Sequence, residues 1–354
     1  MGGIGVLKKN ILFILTALLL VAAITVTGVS FLSKLKFSAN AIGEEYIKWV
    51  EFDIPYSAME KALNLDITTK ESGCHMDWVT TLAYLGTKYG GNWKKYKSKD
   101  MDQYVVKCKD GKTAEELCEN SLKYYRYFYE AYDAVLGGMV GEYQIATPET
   151  AGTEHPEMTK KYGLKAYSPI AYAYSFSHYD DFGNSRSYGF KRKHLGNDLL
   201  GSIGTPIMAV ESGIVEVAAW NQYGGWRVGI RSLDKKRYYY YAHLRKDHPF
   251  HPSVKEGAVI QAGDVIGYLG MTGYSNQENV NGMTKPHLHF GMQLIFDESQ
   301  KEGNNEIWID VYQIVKLLQK HTSPVVRDDV TKDYNRKYQF IDPAVEQYKA
   351  SDTT

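Results

Sequence analysis

Five residues in three short motifs have types and spacings that suit metal chemistry. His194 and Asp198 lie four apart in HLGND, His287 and His289 lie two apart in PHLHFGM, and His243 closes the tyrosine run YYYYAHL. On an extended strand, side chains at i and i+2 project from one face, so His287 and His289 point the same way if PHLHFGM is a strand. Gly196, between His194 and Asp198, lets the backbone bend so that imidazole and carboxylate reach one ion. Two neutral imidazoles and one carboxylate make three protein ligands and leave a fourth tetrahedral position open, the arrangement of catalytic rather than structural zinc. A histidine-rich set without thiols suits Zn²⁺ better than Mg²⁺ or Ca²⁺, although two histidines and a carboxylate also bind non-haem iron. Each motif alone is weak, since an isolated HxH or HxxxD commonly arises by chance. Their weight comes from co-occurrence: six of the ten histidines fall between His194 and His289.

That segment must be a sheet for the spacing to matter, and its texture agrees. TPIMAVESGIVEVAAW, WRVGIRSL, RYYYYAHL and AVIQAGDVIGYLG are short β-branched and aromatic runs broken by glycine, an antiparallel pattern with tight turns. DVYQIVKLLQ reads as a terminal helix, and the final ASDTT is expected to lack order. Residues 43–143 read as a helical domain. WVTTLAYLGTKY stops at Gly90-Gly91, Thr113 with Glu115 and Glu116 starts a second helix, and LKYYRYFYEAYDAVL forms a third that ends at Gly137-Gly138. Tyrosines lie all round that third helix, so some face solvent or a partner. Residues 144–168, polar and holding Pro148 and Pro156, read as a linker.

Residues 11–33 carry no charge and are long enough to cross a bilayer as a helix. They read as a transmembrane anchor behind a short tail, 1–10. A cleaved leader would have a shorter apolar core, and the small-x-small site Ala39-Asn40-Ala41 lies beyond two lysines. Lysines flank both ends about equally, so charge does not set the orientation. The 354 residues suit two domains, and Lys+Arg and Asp+Glu both number 41, so no net field draws the chain to nucleic acid. Three cysteines, Cys74, Cys108 and Cys118, form no metal or redox motif and argue against a disulfide framework.

With these motifs in their order, residues 188–293 resemble the M23 (LytM, lysostaphin-like) zinc metalloendopeptidases, of the membrane-anchored Gram-positive type. GTPIMAVESGIVEVAAW and VKEGAVIQAGDVIGYLGMTGYS are similar to the family's flanking segments. The resemblance implies a C-terminal mainly-β domain of antiparallel sheets over 169–320 (a duplicated hybrid motif), followed by an extension over 321–354. It implies His194, Asp198 and His289 as Zn²⁺ ligands, with His243 and His287 in acid–base work and oxyanion stabilisation. It also implies hydrolysis of peptide bonds in peptidoglycan stems or cross-bridges, in cell-wall remodelling. The substrate then puts the bulk of the chain outside the cytoplasmic membrane, with an envelope protein as a further partner for the helical domain. Bound zinc lowers the pKa of water and polarises a carbonyl, and a histidine exchanges protons near neutral pH, so no serine or cysteine nucleophile is needed.

The sequence departs from the family in two places. Residues 276–286, NQENVNGMTKP, are longer than the usual glycine-rich link and are expected to form a lid or groove wall, and Asn197 replaces a small apolar residue. Two other readings compete: a catalytically silent scaffold that binds or activates envelope proteins, and a hydrolase of soluble peptides. Silent members usually lack a motif residue, and here all five are present. A lipoyl- or biotinyl-carrier domain is excluded because no lysine sits at the required turn.

Overall fold

The computed structural model describes residues 46–187, 191–303 and 305–352. The tail 1–10 and the apolar segment 11–33 lie outside the described residues. Among those described, no helix is long and apolar enough to cross a membrane. Val50–Thr354 forms one compact unit.

Helices occupy Tyr56–Thr69, Trp78–Tyr89, Ser98–Lys109, Ala114–Leu117 and Leu122–Leu136. Their ends follow local chemistry. Asp77 caps the second by accepting from the Thr80 N–H at 2.7 Å, and Gly90 ends it at φ 61°, a left-handed conformation that glycine adopts without strain. Thr113 and Glu116 form a reciprocal capping box. At Gly86 a Cβ would lie 2.9 Å from the Tyr132 ring, so the glycine lets helices 78–89 and 122–136 approach closely. Of the tyrosines on the last helix, Tyr125, Tyr127 and Tyr132 are buried, whereas Tyr129 is exposed.

The expected linker is structured. Met158–Leu164 pairs antiparallel with Val140–Ala146, and Phe340–Ile341 pairs with the latter's other edge. The helical region therefore gives way to strand at Val140, inside the span expected to be helical. This sheet was hard to see in the sequence because the polar run Thr159, Lys160 and Lys161 of strand 158–164 is exposed and the strand's apolar alternation is weak. Its third strand also comes from almost two hundred residues downstream. The hairpin is tied to the helices through Asp66, which is fully buried. Asp66 accepts from Tyr162 Oη at 2.7 Å and from the Trp78 N–H at 2.8 Å, and it lies 2.8 Å from His75 Nε2.

An eight-stranded antiparallel sheet carries the five motif residues. Its order is Val259–Ile260, Gly213–Asn221, Gly225–Ser232, Arg237–Ala242, His287–Leu294, Asn197–Leu200 and Ser177–His178, with Ile307–Ile309 also on the 287–294 strand. Alternation along the tyrosine strand sends Tyr239 and Tyr241 into the core beside Phe290, while Tyr240 stays half-exposed on the opposite face. The extension 321–354 packs back as the hairpin Val325–Arg327/Tyr334–Arg336, strand 340–341 and the helix Pro343–Asp352. That helix includes Ser351 and Asp352 of the tail expected to lack order.

Arg237 joins helices to sheet. It is fully buried, donates to Glu211 at 2.8 and 3.0 Å and to Asp234 at 2.8 Å, and reaches the Ala134 carbonyl at 2.7 Å, near the C-terminus of helix 122–136. A cation is favoured at that end of a helix, and Tyr239 Oη adds a donor to Glu211 at 2.6 Å. Truncation by Arg237→Ala leaves Glu211 buried without its cation, so it is expected to cost about 3–5 kcal/mol in denaturant unfolding. A loss below about 1 kcal/mol would show that the joint does not depend on this pair.

Candidate metal centre

Strand 287–294 lies between two neighbours in a register that assembles the site. His289 stands opposite Asp198 on one side and Ala242 on the other, so His243 follows at the end of its strand. His194 Nε2, Asp198 Oδ1 and His289 Nδ1 converge, with separations of 3.1, 2.9 and 3.3 Å for the His194–Asp198, His194–His289 and His289–Asp198 pairs. All three ligand atoms lie within 4.8 Å of one another. Ligands at about 2.0–2.1 Å around a tetrahedral zinc ion stand about 3.4 Å apart, so this triangle fits one such ion. Gly196 makes room for it: a Cβ there would lie 2.8 Å from the His289 ring.

The protonation pattern also favours a cation. The hydrogen bonds of Asp181 and Asp198 outweigh burial and push His194 up to about 9. Asp198 is held below the usual carboxylate range, against its burial, by His194 and His289. That pattern marks the place between imidazole and carboxylate as one where positive charge is favoured. Burial lowers His289, which favours the neutral form that a metal ligand needs.

His243 and His287 sit beside this triangle, their rings 4.7 Å apart. His243 Nδ1 lies 2.8 Å from the Thr272 carbonyl and His287 Nδ1 lies 2.9 Å from the Lys285 carbonyl. A carbonyl only accepts, so each Nδ1 carries a proton, and in the neutral ring each Nε2 is an acceptor. His287 Nε2 lies 3.7 Å from Asp198 Oδ1. Burial, with His287 and His289 close by, holds His243 well below its ordinary value, and so neutral. Its backbone has φ 61°, an uncommon conformation for a histidine, fixed by its N–H donating to the Gly224 carbonyl at 2.7 Å.

Two supporting residues escaped the sequence reading. Asp181 faces His194 Nδ1 with its carbonyl at 3.1 Å and its carboxylate at 3.3 Å, and Arg186 donates to Asp181 at 2.5 Å and to Asp198 at 3.3 Å. Both sit in the loop and hairpin before His194, where no periodicity marks them. The 276–286 segment is pinned rather than free: Asn279 accepts from Trp226 Nε1 and from the Asp247 N–H, each at 2.9 Å, and donates to Asp247 Oδ1 at 2.6 Å. Asn197, the other departure, is fully buried and donates to the Tyr179 carbonyl at 3.1 Å, which ties the Asp198 strand to the loop that carries Asp181.

Residues 192–303 match the model of peptidase family M23. The L-Ala–D-Glu endopeptidase of Bacillus subtilis (strain 168) is 32% identical over 153 residues, which cover 43% of this chain and 44% of that protein. Lysostaphin of Staphylococcus staphylolyticus is 40% identical over 98 residues, 27% of this chain and 18% of that protein. Among solved structures, the catalytic domain of the antimicrobial peptidase lysostaphin from Staphylococcus simulans aligns at 30% identity over 40% of this chain and 92% of that one, with a TM-score of 0.32. The chain spans less than half the length of the curated relatives it matches. All five motif residues fall inside the matched segment, and the chain carries a peptidase family M23 domain over residues 192–303.

Proposed function

We propose that this chain is a membrane-anchored zinc metalloendopeptidase that hydrolyses peptide bonds of peptidoglycan stems or cross-bridges. The observation that carries the reading is the convergence of His194, Asp198 and His289 on one point, with two acceptor nitrogens, of His243 and His287, beside it. Relatives named for L-Ala–D-Glu bonds and lysostaphin support a wall peptide as substrate. Segment 11–33 supplies the anchor, with the short tail inside and the bulk outside the membrane. The helical region, with Tyr129 exposed, is the face for an envelope partner.

His194 Nε2, Asp198 Oδ1 and His289 Nδ1 would hold the Zn²⁺, with Asp181 orienting His194 through the other ring nitrogen, as second-sphere carboxylates do. When bound, the ion acidifies water and polarises the scissile carbonyl. Because Nδ1 of both His243 and His287 is committed to a carbonyl, either Nε2 takes the proton of the attacking water. The imidazolium so formed then becomes a donor, able to stabilise the oxyanion and protonate the leaving amine. Neutral His243 is thus a base first and an acid second.

Zinc and wall digestion should both disappear in His289→Ala and Asp198→Ala and on chelation, as read by elemental analysis and by mass spectrometry of muropeptides. Stoichiometric zinc in the native chain without cleavage would indicate a binding scaffold instead. Asp181→Ala is expected to weaken zinc binding roughly tenfold to a hundredfold in a competition titration; unchanged affinity would remove it from the site. Metal must displace the His194 proton, so zinc affinity should rise with pH up to about 9 and binding should release protons, measurable by calorimetry in buffers of different ionisation enthalpy. The raised pKa makes the opposite contribution to metal-free stability: it is fully present below about 6.5 and lost as pH rises through about 9. Affinity that is flat with pH would contradict the protonated His194.

A further inference from the structure

Two arginines beside the metal centre have no carboxylate partner among the described residues. Arg192 follows Lys191 on strand Lys191–Lys193, two residues before the ligand His194, and its guanidinium lies over the Tyr274 ring at 5.3 Å and over Tyr223 at 5.9 Å. Tyr274 in turn stacks on His243, their rings 6.0 Å apart and inclined by 25°. Arg227, on strand Gly225–Ser232, lies over Tyr240 at 5.9 Å, and Tyr240 meets the His289 ring edge-on at 5.7 Å. Each guanidinium is thus one aromatic ring away from a histidine of the site. Burial raises the Tyr240 hydroxyl, and the positive charges of Arg227 and Arg192 oppose that rise. The Nε atoms of both are buried and have no hydrogen-bond partner.

The surroundings make these two cations unusual. Arg186, directly across the hairpin from Arg192, is satisfied by Asp181 and Asp198. Arg231, on the same strand as Arg227, is paired with Glu298 at 2.7 Å. A guanidinium beside a tyrosine ring offers a planar fork of donors that matches a carboxylate.

We propose that Arg192 and Arg227 form a carboxylate-binding subsite beside the metal centre, so that the peptide cut is acidic, with a free carboxylate close to the scissile bond, rather than an uncharged glycine bridge. This deepens the endopeptidase reading and rests on it. Contact with Tyr274 and Tyr240 places each guanidinium one ring away from His243 or the ligand His289, so the substrate anion is read next to the bond that breaks. The residues select the substrate and take no part in the proton transfers.

The test uses the zinc-loaded full chain and three synthetic peptides: a stem peptide with free glutamyl carboxylate, the same peptide with that group amidated, and pentaglycine. The native chain should cleave the acidic peptide at least about tenfold more efficiently than the amide, the size of one charge-assisted hydrogen bond. Arg192→Gln and Arg227→Gln should each erase most of that preference, mainly through a raised KM for the acidic peptide, and leave the zinc content unchanged. Equal cleavage of acid and amide by the native chain, pentaglycine as the preferred substrate, or a preference that survives both substitutions would overturn the subsite. If the native chain cleaves none of the three, calorimetric binding separates the two readings. Tighter binding of the acid than of the amide, lost in Arg192→Gln, would keep the subsite and reject the peptidase, whereas equal binding would reject the subsite.

Discussion

The placement of strand 287–294 between strands 197–200 and 237–242 is the constraint on which the site depends. One register sets His289 opposite both Asp198 and Ala242, and with that pairing His287, His243 and His194 have no freedom left to diverge. A slip of one residue would turn both histidines of the pair to the buried face, where Leu288 and Phe290 now lie. The burial of those two apolar side chains therefore fixes the register that builds the polar site. Gly196 relieves the crowding this creates, because any side chain there would displace the His289 ring.

Around this strand the molecule is held by buried charges that link distant parts of the chain. Arg237 ties the end of helix 122–136 to Glu211 and Asp234, and Asp66 ties the first helices to the hairpin 140–164. Asp333, from the C-terminal hairpin, accepts from Tyr268 Oη at 2.8 Å and meets His248 Nε2 at 2.6 Å. Buried pairs of this kind add specificity rather than large net stability. They fix how the helices, the large sheet and the C-terminal strands join, which a hydrophobic core alone specifies loosely. The sheet so supported is the rigid element that an open metal site requires.

The motif residues stood out through their co-occurrence in one strand-rich segment, and their separate roles came from the family resemblance. HxH on a strand and a glycine between His194 and Asp198 are local signals. The helices 78–89 and 122–136 were legible from their spacing and their caps. Asp181 and Arg186 were not, since their roles come from a loop and hairpin folding over His194, and a lone Asp-Asp pair says nothing of what it will face. Residues 144–168 were misread for a related reason. Polar residues on the water-exposed strand 158–164 mask its pairing, and its stability is supplied by Asp66 and by strand 340–341, contacts far away in sequence. The anchoring of 276–286 rests on Asn279 reaching Trp226 and Asp247, which spacing cannot show.

The central claim is that His194, Asp198 and His289 hold one open-sided zinc ion, and X-ray absorption at the zinc edge of the metal-loaded full chain tests it most directly. The account predicts a four-coordinate ion with nitrogen and oxygen ligands at about 2.0–2.1 Å, two of them imidazole and one an exchangeable water. A closed sphere with no exchangeable ligand, a thiolate sulfur at about 2.3 Å, or the same spectrum after Asp198→Ala would contradict it.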